Sequence, residues 1–90
     1  MFIVKLDKER HARVTRKALS MFQQKTGKDI LNLKEGEALD LADVETLLWL
    51  CLLKEDPALT LEQVQDEVEL HQLKQFTNYI LEGKQSANPT

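Results

Sequence analysis

The sequence predicts a mainly α-helical single domain of four to five short helices with a short N-terminal β-strand or hairpin. Three features indicate this fold class: an alternating apolar pattern at the start, an almost wholly apolar run at Leu47–Leu53, and helix-ending residues at Gly27 and Pro57. Ninety residues suffice for one domain with a thin core. We expect residues 1–83 to form this domain and residues 84–90 to form a flexible C-terminal tail.

The N-terminal residues have the two-residue apolar period of a β-strand. The apolar side chains of this strand are Phe2, Val4 and Leu6. Ala12 and Val14 could pair with it in a hairpin around residues 7–10, although that turn contains no glycine. The alternative is a helix that begins directly after Asp7, because no Gly or Pro follows until residue 27. We prefer the strand, followed by a helix with Thr15 as its N-cap residue.

The first helix and the turn after it have clear local signals. Ala18 and Phe22 belong to its apolar face, Lys25 lies in its last turn, and Gly27 can adopt the left-handed conformation that ends many helices. The apolar residues within 30–33 predict a short turn that packs beneath the core.

The second helix is predicted at Leu41–Lys54, with Asp40 as its N-cap residue. Pro57 disfavours helical geometry at the preceding residue and so places the helix end near Lys54. A helix that is apolar on every side cannot face water, so we expect a buried centre or an interface. Its apolar surface should exceed what its short neighbours can cover, and Trp49 is either a core residue or an interface anchor.

Two more helices are expected after this proline. Thr60 and Gln63 have the spacing of a capping box, which predicts a helix start. The apolar stripe changes phase without Gly or Pro, and this indicates a bend or break at 69–71. Gly83 should end the last helix.

The charges are unevenly distributed along the chain. Segment Lys5–Lys28 contains eight Lys or Arg and two acidic residues, whereas the rest contains thirteen acidic residues and four lysines. The basic third is a solvated face, a surface for an acidic partner such as another copy, or a nucleic-acid surface. The overall acidity, with pI ≈ 5.3, disfavours nucleic acid. We therefore expect protein contacts through these candidate residues: Arg10, Arg13, Arg16, Lys17, Trp49, Leu50 and Tyr79.

No catalytic or cofactor-binding pattern is found in the sequence. Cys51 lies within the apolar run without a polar neighbour, and the three glycines are isolated rather than grouped in a phosphate loop. Glu67 and His71 could form one edge of a metal site, but an i,i+4 surface pair explains them better. We expect no enzyme activity, no cofactor and no bound metal. No run reaches the length of a membrane span, and a single cysteine fits a reducing cytoplasm.

Several short strings occur in a distinctive order over residues 2–82. A "TGK" turn at Thr26–Lys28 follows the first helix, "LLW" at Leu47–Trp49 lies in the second, and "EDPALTLEQV" at 55–64 connects to the third. This order resembles that of the small tail assembly chaperones of long-tailed bacteriophages and phage-like gene transfer agents. The family often has glycine in its first turn, whereas residues 7–10 here read DKER.

The resemblance implies a non-enzymatic protein that coats the long, helical tape measure protein before tail tube subunits polymerise around it. It also implies self-association, displacement by the tail tube protein, a location in the host cytoplasm and absence from the mature virion. Two alternatives remain open: a generic helical adaptor or minor virion component, and a small nucleic-acid-binding regulator that uses the basic third.

Overall fold

The computed structural model describes residues 2–33, 36 and 38–86 and has the predicted mainly helical fold with an N-terminal hairpin. A 3-10 turn, Ile30–Asn32, lies between the first two helices. The elements in chain order are β1 (Phe2–Lys5), β2 (Glu9–Ala12), α1 (Arg16–Thr26), α2 (Leu41–Leu52), α3 (Leu61–Glu67) and α4 (Leu70–Ser86).

The two strands form an antiparallel hairpin, so the alternative of a continuous helix after Asp7 is wrong. Phe2 pairs with Ala12 and Lys5 pairs with Glu9. The connection is therefore the three residues between the strands, slightly earlier than predicted, and Val14 lies outside the sheet. None of the described non-glycine residues has a positive φ, which explains how this turn closes without glycine.

The predicted ends of α1 are confirmed. The Thr15 hydroxyl accepts a hydrogen bond from the Ala18 N–H at 3.1 Å. Gly27 has φ 78°, and its N–H donates to the Gln23 carbonyl at 2.8 Å. In the following 3-10 turn only Ile30 is buried, whereas Leu31 is 61% exposed. The expectation that this whole apolar group packs beneath the core is therefore wrong for Leu31.

A reciprocal capping box begins α2. The Asp40 carboxylate accepts from the Asp43 N–H at 2.8 Å, and the Asp43 carboxylate accepts from the Asp40 N–H at 3.1 Å. The helix ends at Leu52, two residues before the predicted end, because the Leu52 carbonyl accepts from the N–H groups of Glu55 and Asp56 in a tight turn.

A break between the last two helices is confirmed, although it lies at residues 68–69, slightly earlier than predicted, and the predicted end at Gly83 is wrong. Thr60 caps α3 by accepting from the Gln63 N–H at 3.1 Å, and Val68 is extended with ψ 134° before α4 starts at Leu70. Helix α4 continues through Gly83 to Ser86, because a single glycine costs only about 1 kcal/mol inside a helix and does not by itself end it. Residues 87–90 of the predicted tail lie outside the described residues.

Helix α2 is the centre of the domain and packs against α1, α3, α4 and β2. Its residues Leu47, Leu48, Leu50, Cys51 and Leu52 are at most 4% exposed. The neighbours therefore cover these five side chains, whereas Leu41 at the start of the helix is 55% exposed and Trp49 is half-buried, so part of the expected apolar surplus remains. Burial raises the pKa of the Cys51 thiol to about 12, so this side chain acts as a small hydrophobe. In the described part of the chain, no helix is long and apolar enough to span a membrane.

Candidate protein-interaction surface

Arg10 is an internal residue, and its inclusion in an exposed basic face is wrong. It is only 4% exposed, and its guanidinium forms ion pairs with Asp7 and with Asp56, the latter at 3.0 Å. The hydrogen bond to Asp7 raises the pKa of Arg10 and lowers the pKa of Asp7 below its ordinary value. Arg10 therefore stays charged, with its charge compensated inside the molecule.

Three contacts fasten the hairpin and the residue after it to the end of α2 and the connection that follows. Arg10 reaches Asp56, the His11 ring lies 3.0 Å from Glu55, and the Arg13 N–H donates to the Cys51 carbonyl at 3.0 Å. We call this region the hairpin lock. Because β2 is extended, Arg10 does not share a helix surface with Arg16 and Lys17 at the start of α1.

The other basic residues lie at the start of α1, beside an open groove. Helices α1 and α2 run antiparallel, since Thr15 lies near Leu53 at one end and Lys28 pairs with Asp43 at the other. Between them is a groove of about 450 Å³, which we call the α1–α2 groove. It is lined by Thr15, Lys17, Ala18, Met21, Leu50, Leu53 and Lys54.

The groove combines an apolar floor with a cationic rim. Leu50 is 4% exposed, so it forms part of the floor rather than an exposed anchor. Lys17 and Lys54 are both exposed, and neither makes an ion pair within the described residues. Arg16 is also exposed and directly precedes Lys17. The uncompensated positive charge therefore lies beside an apolar surface.

The cations at the start of α1 oppose the helix dipole. The first turn contains Arg16 and Lys17 and no acidic residue. A helix N-terminus carries partial positive charge and favours acidic side chains by roughly 0.3–1 kcal/mol. These cations are thus placed where helix stability alone would favour acids, which is consistent with a role in contacting a partner.

The structure brings together two predicted candidates, Lys17 and Leu50, and adds residues that the sequence interpretation missed. Met21, Leu53 and Lys54 complete the groove. The available signal was helical spacing: Ala18 and Met21 are three residues apart on α1, as are Leu50 and Leu53 at the end of α2. Arg13 is exposed and lies on the segment that leads to α1.

Trp49 and Tyr79 do not line this groove. Trp49 is half-buried, its indole N–H donates to the Leu59 carbonyl at 2.8 Å, and Lys25 Nζ lies 5.6 Å from its ring centroid. Tyr79 is half-buried against Phe2, with ring centroids 5.6 Å apart. The geometry favours a packing role for both aromatic residues: Trp49 joins α2 to the start of α3, and Tyr79 holds the hairpin on α4.

The described residues contain no cluster of three or more side chains that could hold a metal ion. The break before α4 places Glu67 and His71 in different helices, and His71 lies 3.2 Å from Glu69 instead. The buried Cys51 is kept protonated by its raised pKa, so it lacks the thiolate that a nucleophile requires. The chemistry available at the groove is therefore apolar contact and charge pairing.

Comparisons with protein-family models, with curated proteins and with solved structures gave no match.

Proposed function

We propose that this protein is a tail assembly chaperone of a phage or prophage, which binds the tape measure protein and keeps it soluble before tail tube polymerisation. The α1–α2 groove supports a protein-binding role, because its apolar floor lies beside Lys17 and Lys54, which form no ion pair with the described residues, and so suits a protein segment with apolar and acidic side chains. The ordered strings from Thr26 to Val64 support the choice of this particular kind of partner.

A coat on a long helical protein needs two kinds of contact. Each copy must cover apolar stripes on the tape measure, and neighbouring copies must contact one another. A helical domain with an open groove can serve either purpose by accepting a side chain or a helix face. In this proposal the protein acts in the host cytoplasm, is displaced by the tail tube protein and is absent from the mature virion.

The direct test is co-expression with the tape measure protein that this proposal expects to be encoded downstream of the gene. We expect the tape measure to stay soluble and to co-purify with several copies of the chaperone. The control is Leu48→Asp, which places a charge at a fully buried position and should abolish capture because the domain cannot fold. An insoluble tape measure with nothing co-purified would contradict the proposal.

Two further measurements separate the alternatives. A generic adaptor or minor virion component would bind other proteins but leave the tape measure insoluble, and the gene would lack a long tape measure gene downstream. A nucleic-acid-binding regulator would be retained on DNA at low salt and released as salt rises. The burial of Arg10 removes one cation from the surface on which that last alternative depends.

A further inference from the structure

The corner between α3 and α4 carries charge opposite to that of the groove. Leu70, the first residue of α4, is 58% exposed. Asp66 and Glu69 beside it are exposed, and Glu67 is half-buried. We call these four residues the acidic corner. Nearby basic side chains include His71, whose ring lies 3.2 Å from the Glu69 carboxylate, and Lys74 one helical turn further on.

We propose that the acidic corner of one copy binds the α1–α2 groove of a second copy. An exposed leucine between acidic residues is the chemical complement of an apolar groove between lysines. In this contact Leu70 enters the floor beside Met21 and Leu50, while the carboxylates lie opposite the rim lysines. Burying leucine supplies affinity, and the opposite charges favour this orientation over groove-to-groove or corner-to-corner contacts.

The acidic corner is not placed to bind the α1–α2 groove of its own copy. Helices α1 and α4 each pack on α2 and share no extensive contact in the described structure. The start of α4 instead lies beside β1, where the Lys5 N–H donates to the Gln72 side chain at 3.2 Å. The corner and the groove therefore belong to separate parts of the domain. A contact between them joins different surfaces of two copies, leaves one groove and one corner free, and can repeat head to tail.

This inference rests on the proposed function in one respect, namely that a coat requires contacts between copies. Its test uses the full chain without any tape measure protein. Failure of tape measure capture and failure of this self-contact are therefore separate results.

The first experiment measures self-association by sedimentation over a wide range of protein concentration. We expect the wild type to associate, and more weakly as salt rises. The groove variant K17E/K54E and the corner variant L70K should each lower the association constant by about tenfold or more, since each removes a principal part of the contact. The matched control is L41K, because Leu41 is also the first residue of a helix and is 55% exposed.

The second experiment mixes the groove variant with the corner variant, after circular dichroism has shown that both are folded. K17E/K54E retains an intact corner and L70K retains an intact groove, so the mixture should form a heterodimer that grows no further. Failure of the two to associate would overturn the proposal, as would a monomeric wild type or an equal loss of association in L41K.

Discussion

The hairpin lock and the α1–α2 groove use basic residues of the same sequence stretch in opposite ways. Arg10 in the lock is 4% exposed and pairs with two carboxylates. Lys17 at the groove is exposed and forms no ion pair with the described residues. Positive charge in the lock holds distant segments together, whereas positive charge at the groove remains available to a partner. The local density of Lys and Arg alone could not distinguish these two uses.

The largest expected effect concerns the lock. Arg10→Ala should lower the free energy of unfolding by about 2–3 kcal/mol, because it removes a buried side chain that two carboxylates surround. Asp7 and Asp56 retain contact with water, with side chains 52% and 29% exposed, so the loss should fall short of that for a fully buried charge pair. Urea denaturation measures the change.

Arg13→Ala is the matched control for this prediction. Arg13 is exposed, and its described contact with α2 uses the backbone N–H, which alanine keeps. Its change should stay within about 0.5 kcal/mol. If Arg10→Ala and Arg13→Ala lose the same free energy of unfolding, Arg10 has no special structural role in the lock and the prediction is wrong.

A smaller effect is expected at the opposite end of α2, where Asp43 accepts from the Asp40 N–H and pairs with Lys28. Burial acts to raise the pKa of Asp43, but the hydrogen bonds from Lys28 and Asp40 outweigh it, so this pKa lies below its ordinary value of 3.8. Asp43→Asn should cost about 1–2 kcal/mol at neutral pH through loss of a charged cap.

The pH dependence of this loss of stability shows whether the negative charge of Asp43 causes it. Since the folded pKa of Asp43 is depressed, its contribution is fully present above the unfolded pKa and is lost as pH falls through the folded value. The stability difference between wild type and Asp43→Asn should therefore be constant near neutrality and shrink below pH 3.8. A difference that persists unchanged in acid would assign the effect to amide geometry. Chemical denaturation at a series of pH values measures it.

Features that depend on contacts between residues close in sequence were predicted more accurately than features that depend on contacts between distant residues. Thr15, Asp40 and Thr60 were predicted as caps because each bonds an N–H group three residues ahead. Gly27 was predicted for an equally local reason, its left-handed backbone. Gly83 has the same residue type but lies inside α4, because the local preference of one glycine, about 1 kcal/mol, is too small to decide where a helix ends.

The functional residues depended on longer-range contacts and were predicted less well. Arg10 meets Asp56, 46 positions away, so nothing near it in the sequence signals its burial. The groove needs two helices to run antiparallel, so Lys17 and Lys54 could not be assigned to one rim beforehand. Most of the apolar surface of α2 is covered by neighbouring elements, and only part of the expected surplus remains, because hydrophobicity gives the amount of apolar surface but not how many neighbours cover it.

The smallest expected change in stability concerns the substitution Lys17→Glu at the groove. This substitution should raise the free energy of unfolding, whereas Arg10→Ala in the lock should lower it. Lys17 lies in the first turn of α1, where the helix dipole disfavours a cation. Lys17→Glu should therefore raise the free energy of unfolding by about 0.5 kcal/mol while it weakens contact with an acidic partner. Lys8→Glu, an equal charge change in the hairpin turn, controls for net charge. Thermal denaturation and sedimentation of the two variants separate these quantities. If Lys17 lowers the stability of its own helix and strengthens association, its role is to contact a partner. If Lys17→Glu instead lowers stability, Lys17 is a structural cation like Arg10.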